Sequence, residues 1–219
     1  HQFRGQRQQW FQVARFQRGG GWCVPALDQP VRCQGEAALE DPVVDPGAVA
    51  VCTALPGASV FMGVPTLYTR LLDCPAFTKG LCASMRLFIS GSAPLQAETF
   101  DQFEQRFGQR ILERYGMSET GMLTSNPRVG ERRRASVGPA LPGVQLRIAE
   151  PDAQGIGGVE VAGPNVFAGY WRMPEKTAEE FTAAEHGQKW FKTGDVGQVA
   201  ADGYVTIVGR SKDLIISGG

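Results

Sequence analysis

The sequence lacks an apolar run long enough to cross a bilayer, an excess of charge of either sign, and a CxxC pair. Its 22 basic residues balance 22 acidic residues, so charge gives no reason to expect nucleic acid as a partner, and no segment indicates a membrane. The five cysteines are odd in number and loosely spaced, which fits neither a disulfide framework nor a zinc site. We therefore expect reduced thiols and a cytoplasmic location. Arginines precede the first acidic residue, which keeps the mitochondrial matrix as an alternative.

The residue pattern changes at about residue 59. Residues 1–58 follow no clear helical or strand period, and we assign them no role. In residues 59–142, short apolar runs alternate with helical periodicity, which predicts an α/β sheet with parallel strand pairs. Residues 143–210 contain short strands separated by Gly, Pro and Asp, which predicts a small β-rich subdomain with antiparallel or barrel-like pairing. The individual predictions are strands over 59–64, 85–89, 110–115, 144–149, 158–162 and 204–208, with helices that begin at Pro65 and cover 94–107.

Three glycine-containing loops follow predicted strands and are the candidates for a ligand site. They cover residues 90–94, 115–120 and 193–195. In α/β sheets, ligands bind beyond the carboxyl ends of the strands, and glycine lets the backbone approach a ligand closely. Each loop alone would more often be an ordinary turn, so the argument depends on their order and spacing.

The order of these loops resembles that of a known enzyme superfamily. ERYGMSET at residues 113–120 resembles the YGxTE motif of the adenylate-forming enzymes, which include the acyl-CoA synthetases. TGD at 193–195 and GRSKDLIISGG at 209–219 resemble the next two motifs in the same order. Within the superfamily, the malonyl-CoA synthetases are most similar, through VFMGVPTLYTRLL (60–72), RLFISGSAPL (86–95), VGPALPGV (137–144) and GPNVFAGYWRMPEKT (163–177).

The resemblance implies an ATP-dependent carboxylate–CoA ligase. Malonate would attack the α-phosphorus of ATP to give malonyl-adenylate, and the thiol of CoA would then take the acyl group, with Mg²⁺ as the metal. Residues 59–210 would belong to the large N-terminal domain, and residues 211–219 would be the hinge to a C-terminal domain. The family's phosphate-binding loop and its C-terminal lysine have no counterpart in this sequence, so we expect no measurable ligase activity from this chain alone.

The resemblance assigns the nucleotide to residues on the three loops and to Arg210. Tyr115 would stack on adenine, Ser118 would donate to the α-phosphate, and Glu119 would bind Mg²⁺. Ser118 and Glu119 are therefore the expected catalytic residues. Asp195 and Arg210 would hold the ribose hydroxyls and the adjoining nucleotide oxygens. The remaining expected nucleotide contacts are Gly91, Ala93 and Gly116.

Arg70 is the expected determinant of substrate specificity. A guanidinium binds a carboxylate through two parallel hydrogen bonds, which a pocket for a neutral acyl chain would not need. The resemblance places Arg70 and the hydroxyl of Ser92 against the distal carboxylate of malonate, with Met117 in the acyl pocket. It also makes Lys212 the hinge residue and places Gly219 beside the path of CoA. From the residues alone, a solvated charge at a helix end explains Arg70 equally well.

Three other functions stay open at this point. The acid could be methylmalonate, because one extra methyl group changes binding only modestly. It could be a fatty or aryl acid, although such an acid would leave the charge of Arg70 without a partner. The chain could also be a non-catalytic, pseudogene-like remnant, which the missing phosphate loop and C-terminal domain favour.

Overall fold

The computed structural model describes residues 59–184 and 187–212, together with the backbone of residues 15–18 and 21–23. These described residues form two β-sheets and three α-helices. The strands are β1 (Arg15–Arg18), β2 (Gly21–Cys23), β3 (Val60–Gly63), β4 (Leu87–Ser90), β5 (Ile111–Met117), β6 (Gly121–Ser125), β7 (Gln145–Ala149), β8 (Gly157–Ala162), β9 (Phe191–Val199) and β10 (Val205–Arg210). The helices are α1 (Pro65–Asp73), α2 (Ala97–Phe107) and α3 (Pro174–Glu180), and a 3₁₀ helix covers Leu81–Ser84.

The first sheet has six strands in the order β2-β1-β3-β4-β5-β6. Its centre is parallel, because α1 returns the chain from β3 to β4 and α2 returns it from β4 to β5. The register pairs Phe61 with Phe88 and Phe88 with Ile111, and all three side chains are buried in one core with residues of α1 and α2. The predicted α/β fold with parallel strand pairs is therefore confirmed.

The α2 helix contributes an aromatic face to this core. Phe100, Phe103 and Phe107 recur at helical spacing and are all buried. The ring of Phe103 lies 5.1 Å, centroid to centroid, from the ring of Phe88 on β4, in an edge-on contact. Gly108 ends the helix in the left-handed region, at a φ of 71°, and its N–H donates to a carbonyl of the last turn, as its position in the sequence predicts.

The second sheet has four antiparallel strands in the order β10-β9-β8-β7. Val159, Val161 and Phe191 are buried in its core together with Leu123 of β6, so this core reaches the first sheet. The predicted β-rich part with antiparallel pairing is confirmed. One detail is wrong: residues 193–195 lie inside the long strand β9 rather than in a loop after a strand. Their Thr-Gly-Asp sequence indicates a turn, because glycine within a strand is unusual.

Residues 136–138 join the two sheets. The N–H of Val137 and the hydroxyl of Ser136 both donate to the carbonyl of Val205 in β10, at 2.9 and 2.7 Å. The N–H of Val205 in turn donates to the carbonyl of Gly138 at 3.2 Å. The hydroxyl of Thr124 in β6 donates to the carbonyl of Val137 at 2.9 Å, so this segment links β10 of the second sheet to β6 of the first.

The first segment of the chain contributes two short strands to the large sheet. β1 pairs antiparallel with both β2 and β3, so a part of residues 1–58, to which the sequence pattern assigned no role, lies at the edge of this sheet. The rest of that segment lies outside the described residues. Within the described part of the chain, none of the helices has the length and apolar character that a membrane span requires.

Candidate nucleotide site

The turn between β5 and β6 presents Ser118 and Glu119. β5 continues two residues beyond its predicted end, and its register against β6 shifts between Tyr115 and Gly116. A Cβ atom at Gly116 would lie 2.2 Å from the carbonyl oxygen of Gly121, so the close approach of the two strands requires glycine there. Gly116, which was expected to contact the nucleotide, thus also has a packing reason to be glycine.

Three of the residues expected to hold the nucleotide meet in one place, the Tyr115–Asp195–Arg210 cluster. The hydroxyl of Tyr115 donates to Oδ2 of Asp195 at 2.5 Å, and Nε of Arg210 lies 3.3 Å from Oδ1. The Asp195 side chain is buried, whereas that of Arg210 is mostly exposed. Burial, followed by the hydrogen bond to Asp195, raises the pKa of Tyr115 far above its ordinary value, so its hydroxyl stays a donor.

The position of Asp195 follows from the local structure of β9 and β10. Asp195 and Arg210 are direct partners in the antiparallel register of these strands. Gly194 has a φ of 74°, and the N–H of Asp195 donates to the hydroxyl of Thr193 at 3.1 Å. The backbone N–H and the hydroxyl of Ser211 both donate to the carbonyl of Gly194, at 2.9 and 3.0 Å. The chain after β10 is therefore tied back to the residue that precedes Asp195.

Residues 165–170, here called the 165–170 segment, hold the turn that bears Glu119. The N–H of Phe167 donates to the carbonyl of Glu119 at 2.8 Å. The side-chain amide of Asn165 donates to the carbonyl of Thr120 at 2.7 Å, and the hydroxyl of Tyr170 donates to Oε1 of Glu119 at 3.2 Å. Both the backbone and the carboxylate of the turn are thus fixed by one segment.

The carboxylate of Glu119 suits a magnesium ion that arrives with a nucleotide. The described residues contain no group of three or more His, Cys, Asp or Glu side chains that could hold a metal by themselves. Mg²⁺ is commonly bound by one or two carboxylates together with substrate phosphates. Glu119 is partly buried and makes no ion pair with a described residue, so its charge is available for such an ion.

The loop after β4 carries Gly91, Ser92 and Ala93. Ser92 has a φ of 71°, which is unusual for a residue other than glycine, and its side chain is exposed, like that of Ala93. The N–H of Leu95, at the end of this loop, donates to Oε1 of the buried Glu113 at 2.8 Å. The loop therefore lies at the carboxyl ends of β4 and β5, where the fold predicts ligands to bind.

Comparison with known families identifies the kind of protein to which these elements belong. Residues 35–171, more than half of the chain, match the family described as AMP-binding enzyme. The chain belongs to the AMP-binding enzyme family. The matched range begins before Ser59, inside the segment that the motifs leave unassigned.

Several relatives in this family are named as malonate–CoA or malonyl-CoA ligases. The malonate–CoA ligase of Arabidopsis thaliana is 45% identical over 175 residues, which cover 74% of this chain and 28% of the relative. The crystal structure of ATP-bound MatB from Rhodopseudomonas palustris is 52% identical, with a TM-score of 0.74, and the match covers 81% of this chain and 35% of that one. A malonyl-CoA ligase in a ternary product complex with methylmalonyl-CoA and AMP is 40% identical, with a TM-score of 0.69 and coverages of 80% and 38%. This chain therefore spans between 28% and 38% of the length of these relatives.

Two charged residues of β5 in this AMP-binding enzyme were missed by sequence reasoning, and Glu113 is the first. It is 3% exposed, and its Oε2 has no hydrogen-bond partner among the described residues. The hydroxyl of Ser90, its register neighbour on β4, is also buried without a partner there. Burial raises the pKa of Glu113 to about 7, against the lowering effect of the Leu95 N–H. Its place in ERYGMSET gives no sign of this burial, because glutamate is usually exposed.

The raised pKa of Glu113 makes the stability of the chain depend on pH. The unfolded chain ionises this carboxyl near 4.5 and the folded chain near 7, so the free energy of unfolding should fall as the pH rises through that window. Urea denaturation should show a loss of about 2 kcal/mol between roughly pH 5 and pH 7.5, which Glu113→Gln should abolish. Glu98→Gln, an exposed change on α2, is the control and should keep the pH dependence of the unmodified chain. An unchanged slope in Glu113→Gln would assign the effect to another group.

Arg114 is the second missed residue, and its charge is half-buried without an acidic partner in the described part of the chain. Its guanidinium contacts the sulfur atoms of Met62 and Met122, and its Nε is buried without a hydrogen-bond partner there. Burial lowers its pKa from the ordinary value. A Cβ atom at Gly91 would lie 3.4 Å from the carbonyl oxygen of Arg114, so the loop after β4 packs beside this residue. Its place in ERYGMSET gives no sign of this burial, because arginine is usually exposed.

Four other expected site residues lie apart from these contacts or outside the described residues. Arg70 lies in the last turn of α1, and it makes no hydrogen bond or ion pair with a described residue. Met117 packs partly buried against the second core. Lys212 is exposed at the end of the described range, and Gly219 lies outside it. Their expected roles in specificity, the acyl pocket, the hinge and the CoA path stay predictions.

Proposed function

We propose that the protein represented by this chain is an AMP-forming acid–CoA ligase that makes malonyl-CoA from malonate, ATP and CoA. The reaction would pass through malonyl-adenylate, with pyrophosphate leaving the α-phosphorus of ATP before the CoA thiol attacks. Membership of the AMP-binding family supports the adenylate step. The names of the relatives support malonate, and the observation that carries this choice of acid is the half-buried charge of Arg114.

The Tyr115–Asp195–Arg210 cluster is the proposed site of the nucleoside. A carboxylate accepts two hydrogen bonds from the vicinal hydroxyls of a ribose, and Asp195 already has each of its oxygens directed at a donor or cation. The exposed Arg210 can turn towards the nucleotide oxygens, while the ring of Tyr115 would lie against adenine. Ser118 and Glu119, on the adjoining turn, would face the α-phosphate and the Mg²⁺ ion.

Arg114 is the proposed partner of the distal carboxylate of the acid. The guanidinium of Arg114 is partly buried, and its neighbours are the thioether sulfurs of two methionines. Among the described residues it therefore lacks the counter-charge that normally compensates the burial of a charge. A dicarboxylate such as malonate supplies that charge at the far end of the acyl group, whereas a fatty or aryl acid does not. Arg70 and Ser92 would assist in the roles given to them above.

AMP binding to the purified chain tests the nucleoside site. We expect AMP to bind, and malonyl-sulfamoyladenosine, a stable mimic of malonyl-adenylate, to bind more tightly. Asp195→Asn should weaken both by roughly tenfold or more, because hydrogen bonds to a charged group contribute about 1.5–3 kcal/mol. Calorimetry measures both affinities.

Asp202→Asn is the matched control for that experiment. Asp202 makes the same kind of ion pair, with Arg133 at 2.6 Å, at the other end of β9 and β10. This change should leave AMP binding unaltered. Failure of the unmodified chain to bind AMP, or equal effects of the two changes, would contradict the proposed site.

Methylmalonate is the second candidate acid, and a relative bound to methylmalonyl-CoA favours it. Arg114 would serve it equally, because the extra methyl group leaves the distal carboxylate unchanged. The alternative of a non-catalytic remnant stays a prediction. So do the location, in the cytoplasm or the mitochondrial matrix, and the expected lack of turnover by this chain alone.

A further inference from the structure

Tyr170 contacts the proposed metal-binding carboxylate directly. Its hydroxyl donates to Oε1 of Glu119 at 3.2 Å, and no second side chain among residues 59–184 and 187–212 donates to this carboxylate. The backbone of Glu119 is held by the same 165–170 segment, through the bond from Phe167. The orientation of the carboxylate thus depends on a single hydroxyl group.

Tyr170 is itself fixed on several sides. Its ring makes an edge-on contact with Phe167, with centroids 4.8 Å apart, and the ammonium group of Lys176 lies 5.5 Å from the ring centroid. Its N–H donates to the hydroxyl of Thr177 at 2.9 Å. At Gly169, a Cβ atom would lie 2.5 Å from Cγ2 of Thr177, which shows how closely the segment approaches α3. The hydroxyl therefore points at Glu119 from a rigid base.

The chemistry of the donor matters as much as its position. An arginine or lysine beside Glu119 would hold the carboxylate and also offset its charge. A tyrosine hydroxyl orients the carboxylate and leaves its negative charge for a cation. Metal-binding carboxylates are generally held by such neighbouring hydrogen bonds, and loss of the neighbour commonly weakens metal binding by about 10- to 100-fold.

We propose that Tyr170 is a positioning residue, whose hydroxyl holds the carboxylate of Glu119 in the orientation that binds the divalent cation of the nucleotide. This inference rests on the proposed function, in which Glu119 binds the ion that accompanies ATP. Tyr170 does not touch the substrate or the ion in this role, so its effect should appear in metal affinity and not in nucleoside affinity.

Tyr170→Phe tests this role in the chain as it is, because the change removes one oxygen atom and keeps the ring packing. Mn²⁺ is titrated into the chain saturated with ATP and followed by water-proton relaxation, and AMP affinity is measured by calorimetry. We expect Mn²⁺ to bind about tenfold more weakly and AMP to bind within about twofold of the unmodified chain. Tyr204→Phe is the matched control, because the hydroxyl of Tyr204, which directly precedes β10, donates to the carbonyl of Glu131 at 2.9 Å.

The possible outcomes separate the inference from the proposed function. Absence of AMP binding by the unmodified chain would overturn both. AMP binding with equal Mn²⁺ affinity in Tyr170→Phe and Tyr204→Phe would overturn the inference alone, and so would a parallel loss of AMP affinity in Tyr170→Phe. Glu119→Gln should itself weaken Mn²⁺ binding, and adding Tyr170→Phe to it should cause no further loss, because both changes remove the same interaction.

Discussion

Gly138→Ala is expected to cost about 4 kcal/mol or more of folding free energy, a large part of the roughly 5–15 kcal/mol that stabilises a typical domain. Gly138 has a φ of 79°, and a Cβ atom there would lie 2.2 Å from backbone atoms of both Ser125 and Asn126. Backbone atoms cannot move aside as the end of a side chain can, so the end of β6 and the residue after it would have to shift. Urea denaturation followed by circular dichroism measures the loss.

Gly143→Ala is the matched control, because Gly143 has a similar φ of 85° and no atom within 4 Å of its Cβ position. Placing alanine in the left-handed region should cost about 1–2 kcal/mol, without any clash. The difference between the two variants isolates the packing at Gly138. Equal losses would show that backbone conformation alone matters, and that the two sheets do not depend on this contact.

The predicted effect of Gly138→Ala reaches the candidate site through the joint at residues 136–138. Tyr115 comes from the first sheet, whereas Asp195 and Arg210 come from the second. The bonds of Ser136 and Val137 to β10 set the distance between the sheets. A variant that folds with this joint displaced should therefore separate Tyr115 from Asp195.

The sequence was sufficient to predict the parallel centre of the first sheet, because its strands are short apolar runs and α2 has a regular aromatic face. It was not sufficient for β9, in which Thr193 and Asp195 are buried polar residues on either side of a glycine. Such a strand has neither an apolar run nor a clean alternation. Its pairing with β8 and β10 decides its structure, and a pattern along one segment does not contain that information.

In the candidate site, too, the sequence motifs predicted some of the residues and missed others. The motifs pointed to Tyr115, Asp195 and Arg210, which the fold does bring together. They did not point to Glu113 or Tyr170, because the importance of these two lies in burial and in partners far away in sequence. Glu113 meets Leu95, and Tyr170 meets a turn that precedes it by about 50 residues in the chain.

Arg114→Met is expected to remove the preference of the site for a charged acyl group. The affinity for malonyl-sulfamoyladenosine should fall by about 2–3 kcal/mol, or roughly 30- to 150-fold, because the charged partner of the distal carboxylate is lost. Affinity for the malonamoyl analogue, in which a neutral amide replaces that carboxylate, should change by less than about threefold. Methionine suits the test because the side chain already lies against Met62 and Met122, so packing is largely kept.

Arg70→Met, measured in parallel, decides between the two arginines. The resemblance assigned the distal carboxylate to Arg70. The structure favours Arg114, because its guanidinium is half-buried and has no acidic partner among the described residues. If both contribute, each single change should reduce the preference and the double change should abolish it. A loss confined to Arg70→Met would leave Arg114 as a buried charge whose partner is not the acid. Unchanged preference in both variants would remove the dicarboxylate from the proposed function, while the nucleoside site at Asp195 would stand.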